Sequence, residues 1–266
     1  MRKPYQVTII TLILVTAVFA MSLPGVVAER NKMVPGVLLT FDDHGIAGWY
    51  DTRDLFNKYD VKATFFVDKI YKLDREKLNM LKALRDDGHE IACHGFNHLD
   101  AKEFTHFNSL DDYINYEVMP SIKLMTDKGF PPTSFAYPFG TRTNDIDRAM
   151  LEKFLILRGT AYTNSEQRIK DLDIAYYNPK EGGKLIHAVG IDEIYGNTVD
   201  EILEGLCRAR NNGEILMLYS HLIGDSEGEC GGKYFTNKAK LERVFQYVSE
   251  NSLKFYKVSE LDQFNN

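Results

Sequence analysis

Short apolar runs alternate with amphipathic stretches along most of the chain, and that alternation predicts a fold class before any single residue is considered. Residues 37–41 (VLLTF) suit a strand buried on both faces, and 51–59 (DTRDLFNKY) follow with helical spacing and an Asp in cap position. A second strand is predicted at 63–67. The helix predicted at 74–87 carries Leu78, Leu81 and Leu84 on one stripe and stops at Gly88. Next come a strand at 90–93, a helix at 111–128 interrupted at Pro120, a strand at 134–137 ending in Pro138, and a helix at 144–154. The later part reads as strands at 155–158 and 185–189, a helix at 199–211 opened by Thr198 and closed by Gly213, and a buried strand at 215–219. A helix at 238–251 and a short run at 254–258 finish the chain.

Strands that alternate with helices imply parallel pairing through right-handed crossovers, hence an α/β fold, a (β/α) barrel or a doubly wound sheet. In either architecture ligands sit at the carboxyl ends of the strands. The chemically capable residues obey that rule: Asp42 and Asp43 follow 37–41, His94 follows 90–93, Pro138 follows 134–137, and His221 follows 215–219.

With 266 residues and no repeat or linker, a single domain over 29–266 is expected. Ahead of it, Arg2 and Lys3 precede an apolar run, and Val26, Val27 and Ala28 offer small residues for cleavage, so 1–28 reads as a signal peptide. The rival reading is an uncleaved anchor, because the uncharged stretch is long enough to span a bilayer. Cleavage would remove Arg2 and Lys3 and take the net charge from −6 to −8, leaving an acidic exported product with no stable membrane span and poor affinity for nucleic acid. Three cysteines allow at most one internal disulfide, and Cys93, beside His94, reads as a small hydrophobe rather than a ligand.

Asp43, His94 and His98 make one carboxylate and two imidazoles, a set suited to zinc with coordination positions left open. Four-residue spacing would put both histidines on one face of a helical turn. HGFNH lacks a Glu after its first His, so the base must come from elsewhere, and Asp42 fits if the strand breaks into loop at Gly45 and Gly48.

TFDD at 40–43, HGFNH at 94–98, YPFG at 137–140 and LYSH at 218–221, in this order, resemble the polysaccharide deacetylase (NodB homology) family of carbohydrate esterases. The resemblance spans about residues 36–260. It implies a distorted (β/α) barrel, Asp42 as catalytic base, His221 as general acid, and Asp43, His94 and His98 around a divalent metal, Zn2+ first, with Co2+ or Ni2+ as alternatives. Tyr137, Pro138, Phe139, Leu218, Tyr219 and Trp49 are the expected substrate-binding residues, with the Phe139 amide as oxyanion donor. The implied reaction is metal-dependent removal of acetyl groups from an acetylated sugar polymer or oligosaccharide, of N-acetylglucosamine type, in a secreted or cell-envelope setting.

Departures from the family pattern set further expectations. Gly95 replaces a Ser or Thr that would brace the histidine loop, so a looser or differently supported loop is expected. Ala136 replaces an Arg that would orient Asp42, so either a higher pKa for Asp42 or a substitute cation is expected. His44 is expected at the site rim, and Trp49 either stacks on a sugar or caps the barrel. Asp171–Asp173 is the weak candidate for the family's later acidic element. His187 and Asp192 read as ordinary strand-end polar residues, with support of His221 as the lesser alternative. The missing supports leave a second function class open, a carbohydrate-binding relative that keeps the pocket without turnover.

Overall fold

The computed structural model describes residues 34–164 and 166–265. The leader expected at 1–28 lies outside the described residues. Eleven strands run in chain order among them: β1 (Gly36–Asp43), β2 (Thr64–Val67), β3 (Glu90–Cys93), β4 (Ser134–Ala136), β5 (Ile156–Ala161), β6 (Tyr176–Tyr177), β7 (Leu185–Gly190), β8 (Ile215–Ser220), β9 (Leu222–Gly224), β10 (Phe235–Asn237) and β11 (Lys254–Tyr256).

Seven of these, β1-β2-β3-β4-β5-β7-β8, pair in parallel, and β8 returns to β1 with Gly36 opposite Ile215 and Phe41 opposite Ser220. The sheet is therefore a closed barrel, the predicted (β/α) class. Its distortion has a specific form. β1 pairs with β2 only over its carboxyl half, Thr40–Asp43, while β11 occupies the amino half at Gly36–Leu38. β6 likewise runs antiparallel to β8 at Ile215 and Leu216, whereas β7 joins β8 only at Leu218 and Tyr219. These added strands take up backbone groups that splayed neighbours would otherwise leave unpaired.

Alternation along the strands sorts the core into two layers. Leu38, Phe66, Ala92, Ala136, Ile186 and Met217 pack together on one face of the sheet. Val37, Leu39, Phe41 and Phe65 pack on the other face with the helix residues Leu81, Leu84, Leu206 and Val244. Two of those helices follow the sequence closely. Arg75–Asp86 is capped by the Asp74 carboxylate on the Lys77 amide at 2.8 Å. Val199–Asn212 opens with a Thr198–Glu201 capping box and ends at Gly213 in left-handed conformation, φ 72°.

Other boundaries moved for identifiable reasons. The helix predicted at 51–59 is two helices, Ile46–Asp51 and Arg53–Lys58. The break after β1 falls at His44 and Gly45 as expected, but Gly48 lies within the first helix. Burial of Ile46 and Trp49 favours the earlier start, and Gly48 lets the helix approach the Ile223 carbonyl, from which a Cβ would stand only 2.7 Å. In the 111–128 region the break precedes Pro120 and is a π-helical turn, Ile114–Val118. Pro120 sits at the start of Met119–Asp127, where its missing N–H is not needed. The helix Ala101–Phe107 and the short strands β6, β9 and β10 carry too little periodicity to have been predicted.

Gly36 tests the barrel's construction, since a Cβ there would stand 2.1 Å from the Lys254 carbonyl oxygen. Gly36→Ala is expected to lower the unfolding free energy by about 1–3 kcal/mol in urea titrations, the usual range for forced overpacking.

Candidate active site

Adjacent strand residues normally face opposite ways, yet Asp42 and Asp43 serve one cavity. The reason is local: Asp43 takes φ 74°, in the left-handed region, and turns its side chain back toward the barrel mouth. Its Oδ1 lies 3.1 Å from His98 Nε2 and 3.5 Å from His94 Nε2. His94 Nδ1 stands 2.9 Å from the Ala136 carbonyl, which can only accept, so the ring donates there and presents Nε2 to the cluster. Asp43 Oδ1 is buried without a hydrogen-bond partner, and ligand atoms of all three residues fall within 4.8 Å of one another. Lone pairs converging on one point in this way repel unless a cation lies between them, so this donor set fits a divalent metal. Without one, burial opposes the charged forms. Contacts with His94 and His98 nonetheless hold the Asp43 carboxyl below its ordinary range, and the charges of Asp42 and Asp43 raise His94. A metal competes with protons for His94, so its affinity falls as pH falls.

The histidines are not on a helical turn. Residues 94–99 are irregular, with Gly95 at φ 91° and His98 at φ 63°. The expected looseness at Gly95 is also absent, because the buried Glu117 carboxylate accepts the Asn97 and Leu99 amides and closes the loop from below.

Asp42 is buried, and its Oδ2 accepts a short hydrogen bond from Arg158 Nη2 on β5. Arg158 stands opposite Ala136 in the β4–β5 register, and its guanidinium lies 5.3 Å from the Phe66 ring and 5.1 Å from the Tyr219 ring. The cation that Ala136 cannot provide thus comes from the next strand.

His221 follows β8, and its Nδ1 lies 2.5 Å from Asp192 Oδ2. Asp192 is fully buried and also accepts the His221 amide at 3.1 Å and the Ser220 hydroxyl at 2.5 Å. Asp192 is therefore not an ordinary strand-end residue. His187 lies beside Gly159 on the β5–β7 ladder, and Asp171 and Asp173 make exposed ion pairs with Lys170 and Arg208. Burial opposes the imidazolium of His221, but the Asp192 hydrogen bond and the charges of Asp42 and Asp43 outweigh it and push the ring up to about 9.

These groups open into a cavity of about 640 Å³ lined also by Tyr137, Phe139, Tyr162, Tyr195, Tyr219 and Tyr234. Of the expected substrate-binding residues, Tyr137, Phe139 and Tyr219 line it and Pro138, Leu218 and Trp49 do not. Pro138 and Leu218 are buried, Leu218 against the helices. Trp49 is wholly buried and stacks on Phe65, with its indole N–H donating to the His221 carbonyl at 2.7 Å, so it has no face to offer a sugar. His44 stands at the rim, bonded to Asp68 at 2.9 Å and outside the metal cluster. Sequence reasoning missed Arg158, Glu117 and the tyrosines at 162, 195 and 234. The lone charge in the apolar run ILRGTA was the available signal for Arg158.

The profile of the polysaccharide deacetylase family matches residues 29–154, which include Asp42, Asp43, His94 and His98. Solved structures extend the likeness across the fold. A mutant of the peptidoglycan deacetylase PdaC from Bacillus subtilis aligns over 89% of this chain and 93% of its own, at 15% identity and TM-score 0.54. The chitin deacetylase of the fungus Colletotrichum lindemuthianum aligns over 86% and 88%, at 16% identity and TM-score 0.54. A mutant of a carbohydrate esterase family 4 pseudoenzyme with restored activity aligns over 88% of this chain and 68% of its own, at 19% identity and TM-score 0.54. No curated protein matches the chain by sequence. Fold and profile together define a hydrolase of the carbohydrate esterase class. The likeness to the polysaccharide deacetylase (NodB homology) family thus rests on a profile match over 29–154 and on a shared fold over the rest of the barrel.

In metal-free protein the His221 ring is expected to titrate near pH 9 by NMR, and Asp192→Asn to bring it down toward the ordinary 6.5. Because the folded value is raised, the pair's contribution to stability is complete below about pH 6.5 and lost as pH rises through about 9. The stability gap between wild type and Asp192→Asn should shrink over that window, and an unmoved His221 titration in the variant would refute the pairing.

Proposed function

We propose that the protein is a metal-dependent deacetylase that removes acetyl groups from an acetylated sugar polymer or oligosaccharide, of N-acetylglucosamine type, outside the cytoplasm. The observation that carries this reading is a carboxylate and an imidazole at one cavity, each fixed by a buried partner of opposite charge. Asp42 is bonded to a buried cation, and His221 is held protonated by a buried carboxylate. A carboxylate aimed by a cation suits the base, and an imidazole backed by a carboxylate suits the acid.

Asp43, His94 and His98 would hold the metal, Zn2+ first. A divalent cation bound there supplies Lewis acidity and lowers the pKa of water. Asp42 takes the proton from water as its oxygen attacks the acetyl carbon. Arg158 pairs with the Asp42 carboxylate and aims it. His221 delivers its Nε2 proton to the leaving nitrogen as the C–N bond breaks, releasing acetate and a free amine. Its Nδ1 stays with Asp192, which offsets the charge of the imidazolium. Tyr219, whose hydroxyl bonds Tyr195 at 2.8 Å, shields the guanidinium on the side of the cavity. Phe139, largely exposed on the cavity wall, would offer its amide to the acetyl oxyanion and its ring to the sugar. Export rests on the segment through Ala28, and among the described residues no helix is long and apolar enough to cross a membrane.

The binding-only alternative rested on the supports missing at Ala136 and Gly95. Arg158 beside Asp42 and Glu117 beneath the histidine loop offer such supports from other elements, which favours turnover.

Purified protein with zinc or cobalt should release acetate from chitooligosaccharides or acetylated xylan, and Asp42→Asn should cut release by about 10²–10⁴-fold while folding and metal binding persist. Bound metal with no release from any acetylated glycan would sink the enzyme reading.

Arg158→Ala should lower kcat by about 10²-fold with little change in KM, the scale of a misplaced catalytic group. Adding Ala136→Arg to that variant should restore part of the loss, because the two positions face each other across one ladder. Undiminished turnover in Arg158→Ala would remove Arg158 from the mechanism.

A further inference from the structure

Glu117 is fully buried, and it lies in the π-helical turn Ile114–Val118 rather than in a regular helix. Buried carboxylates persist where hydrogen bonds satisfy them, and π turns are rare and concentrate at functional sites. All the donors to this one come from the histidine loop. Glu117 Oε1 accepts the amides of Asn97 and Leu99, each at 3.0 Å, and Oε2 lies 2.9 Å from the Asn97 amide. The Glu117 main-chain carbonyl takes the Phe96 amide at 3.1 Å.

The residue between those two amides is His98. Its φ of 63° lies in the left-handed region, uncommon for a residue with a β-carbon and stable only where the surroundings fix it. An anion seated between successive amides supplies that fixation. Gly95 makes the seat possible, because a Cβ there would stand 2.3 Å from Glu117 Oε1. The bare position in HGFNH and the buried carboxylate some twenty residues later form one interlocking unit.

We propose that Glu117 is a positioning residue for the metal centre: its carboxylate holds His98 in the left-handed conformation that brings Nε2 to Asp43, and so sets the affinity of the site. This rests on reading Asp43, His94 and His98 as metal ligands. Glu117 touches neither metal nor substrate and acts through the backbone of His98.

Glu117→Gln keeps the shape but turns an NH2 toward an amide that needs an acceptor. Two measurements on the purified chain test it. In the metal-free protein, hydrogen exchange at the Asn97 and Leu99 amides should quicken at least about tenfold, as expected when a buried carboxylate loses an acceptor. Zinc affinity, measured by chelator competition, should fall about 10–100-fold, the usual cost of losing a residue that orients a ligand. Gly95→Ala leaves the carboxylate in place and crowds it, so it should weaken zinc binding in the same direction and carries the test if Glu117→Gln does not fold. Wild-type zinc affinity in the folded variants overturns the proposal, even if they melt at lower temperature, since that is a purely structural role. Absence of zinc binding by the wild-type protein would instead overturn the ligand reading beneath it.

Discussion

The closure of the barrel between the first and eighth strands is the constraint on which the rest depends. Those two strands lie far apart in sequence, and their register puts Phe41 opposite Ser220, so the residues that follow each of them emerge side by side. Asp42 and Asp43 on one strand and His221 after the other thereby share a cavity without any loop having to reach across. A slip in that register would turn the inward faces of both strands outward. The extra strands at Gly36–Leu38 and at Ile215–Leu216 guard against such a slip at the end of the barrel away from the chemistry.

A second consequence of closure is a dry interior in which charge is expensive. Arg158 and Asp42 sit there as a pair, with aromatic rings over the cation, and Asp192 sits nearby with its acceptors filled by His221 and Ser220. Each charge is matched at short range, as burial requires. The pairing that burial makes necessary also aims Asp42 and His221 at one cavity, so packing and chemistry have one origin.

The grouping of Asp43, His94 and His98 was legible in the sequence because these are diagnostic residue types placed after recognisable strands. The barrel itself was legible from alternating patterns, and caps such as Asp74 and Thr198 marked helix starts within a residue. What escaped were partners supplied from distant elements. Arg158 is hidden in an apolar run and Glu117 lies in a helical segment with ordinary polarity, while Asp192, after a strand with no motif of its own, was legible only as the lesser alternative. Trp49 misled for the opposite reason: a lone tryptophan near an acidic pair suggests a sugar platform, whereas its bulk is used to seal the core beneath His221. Side-chain type can be read from sequence, but depth within the fold is fixed by packing across elements.

The register between Ala136 and Arg158 has an implication for how such proteins are compared. Neighbours across a parallel ladder face the same side of the sheet, so a functional group can migrate from one strand to the next while its tip stays almost where it was. A linear motif counts that migration as a loss; the three-dimensional arrangement does not. Chains scored as defective because one motif position is blank are better judged by the residue facing that position on the adjoining strand.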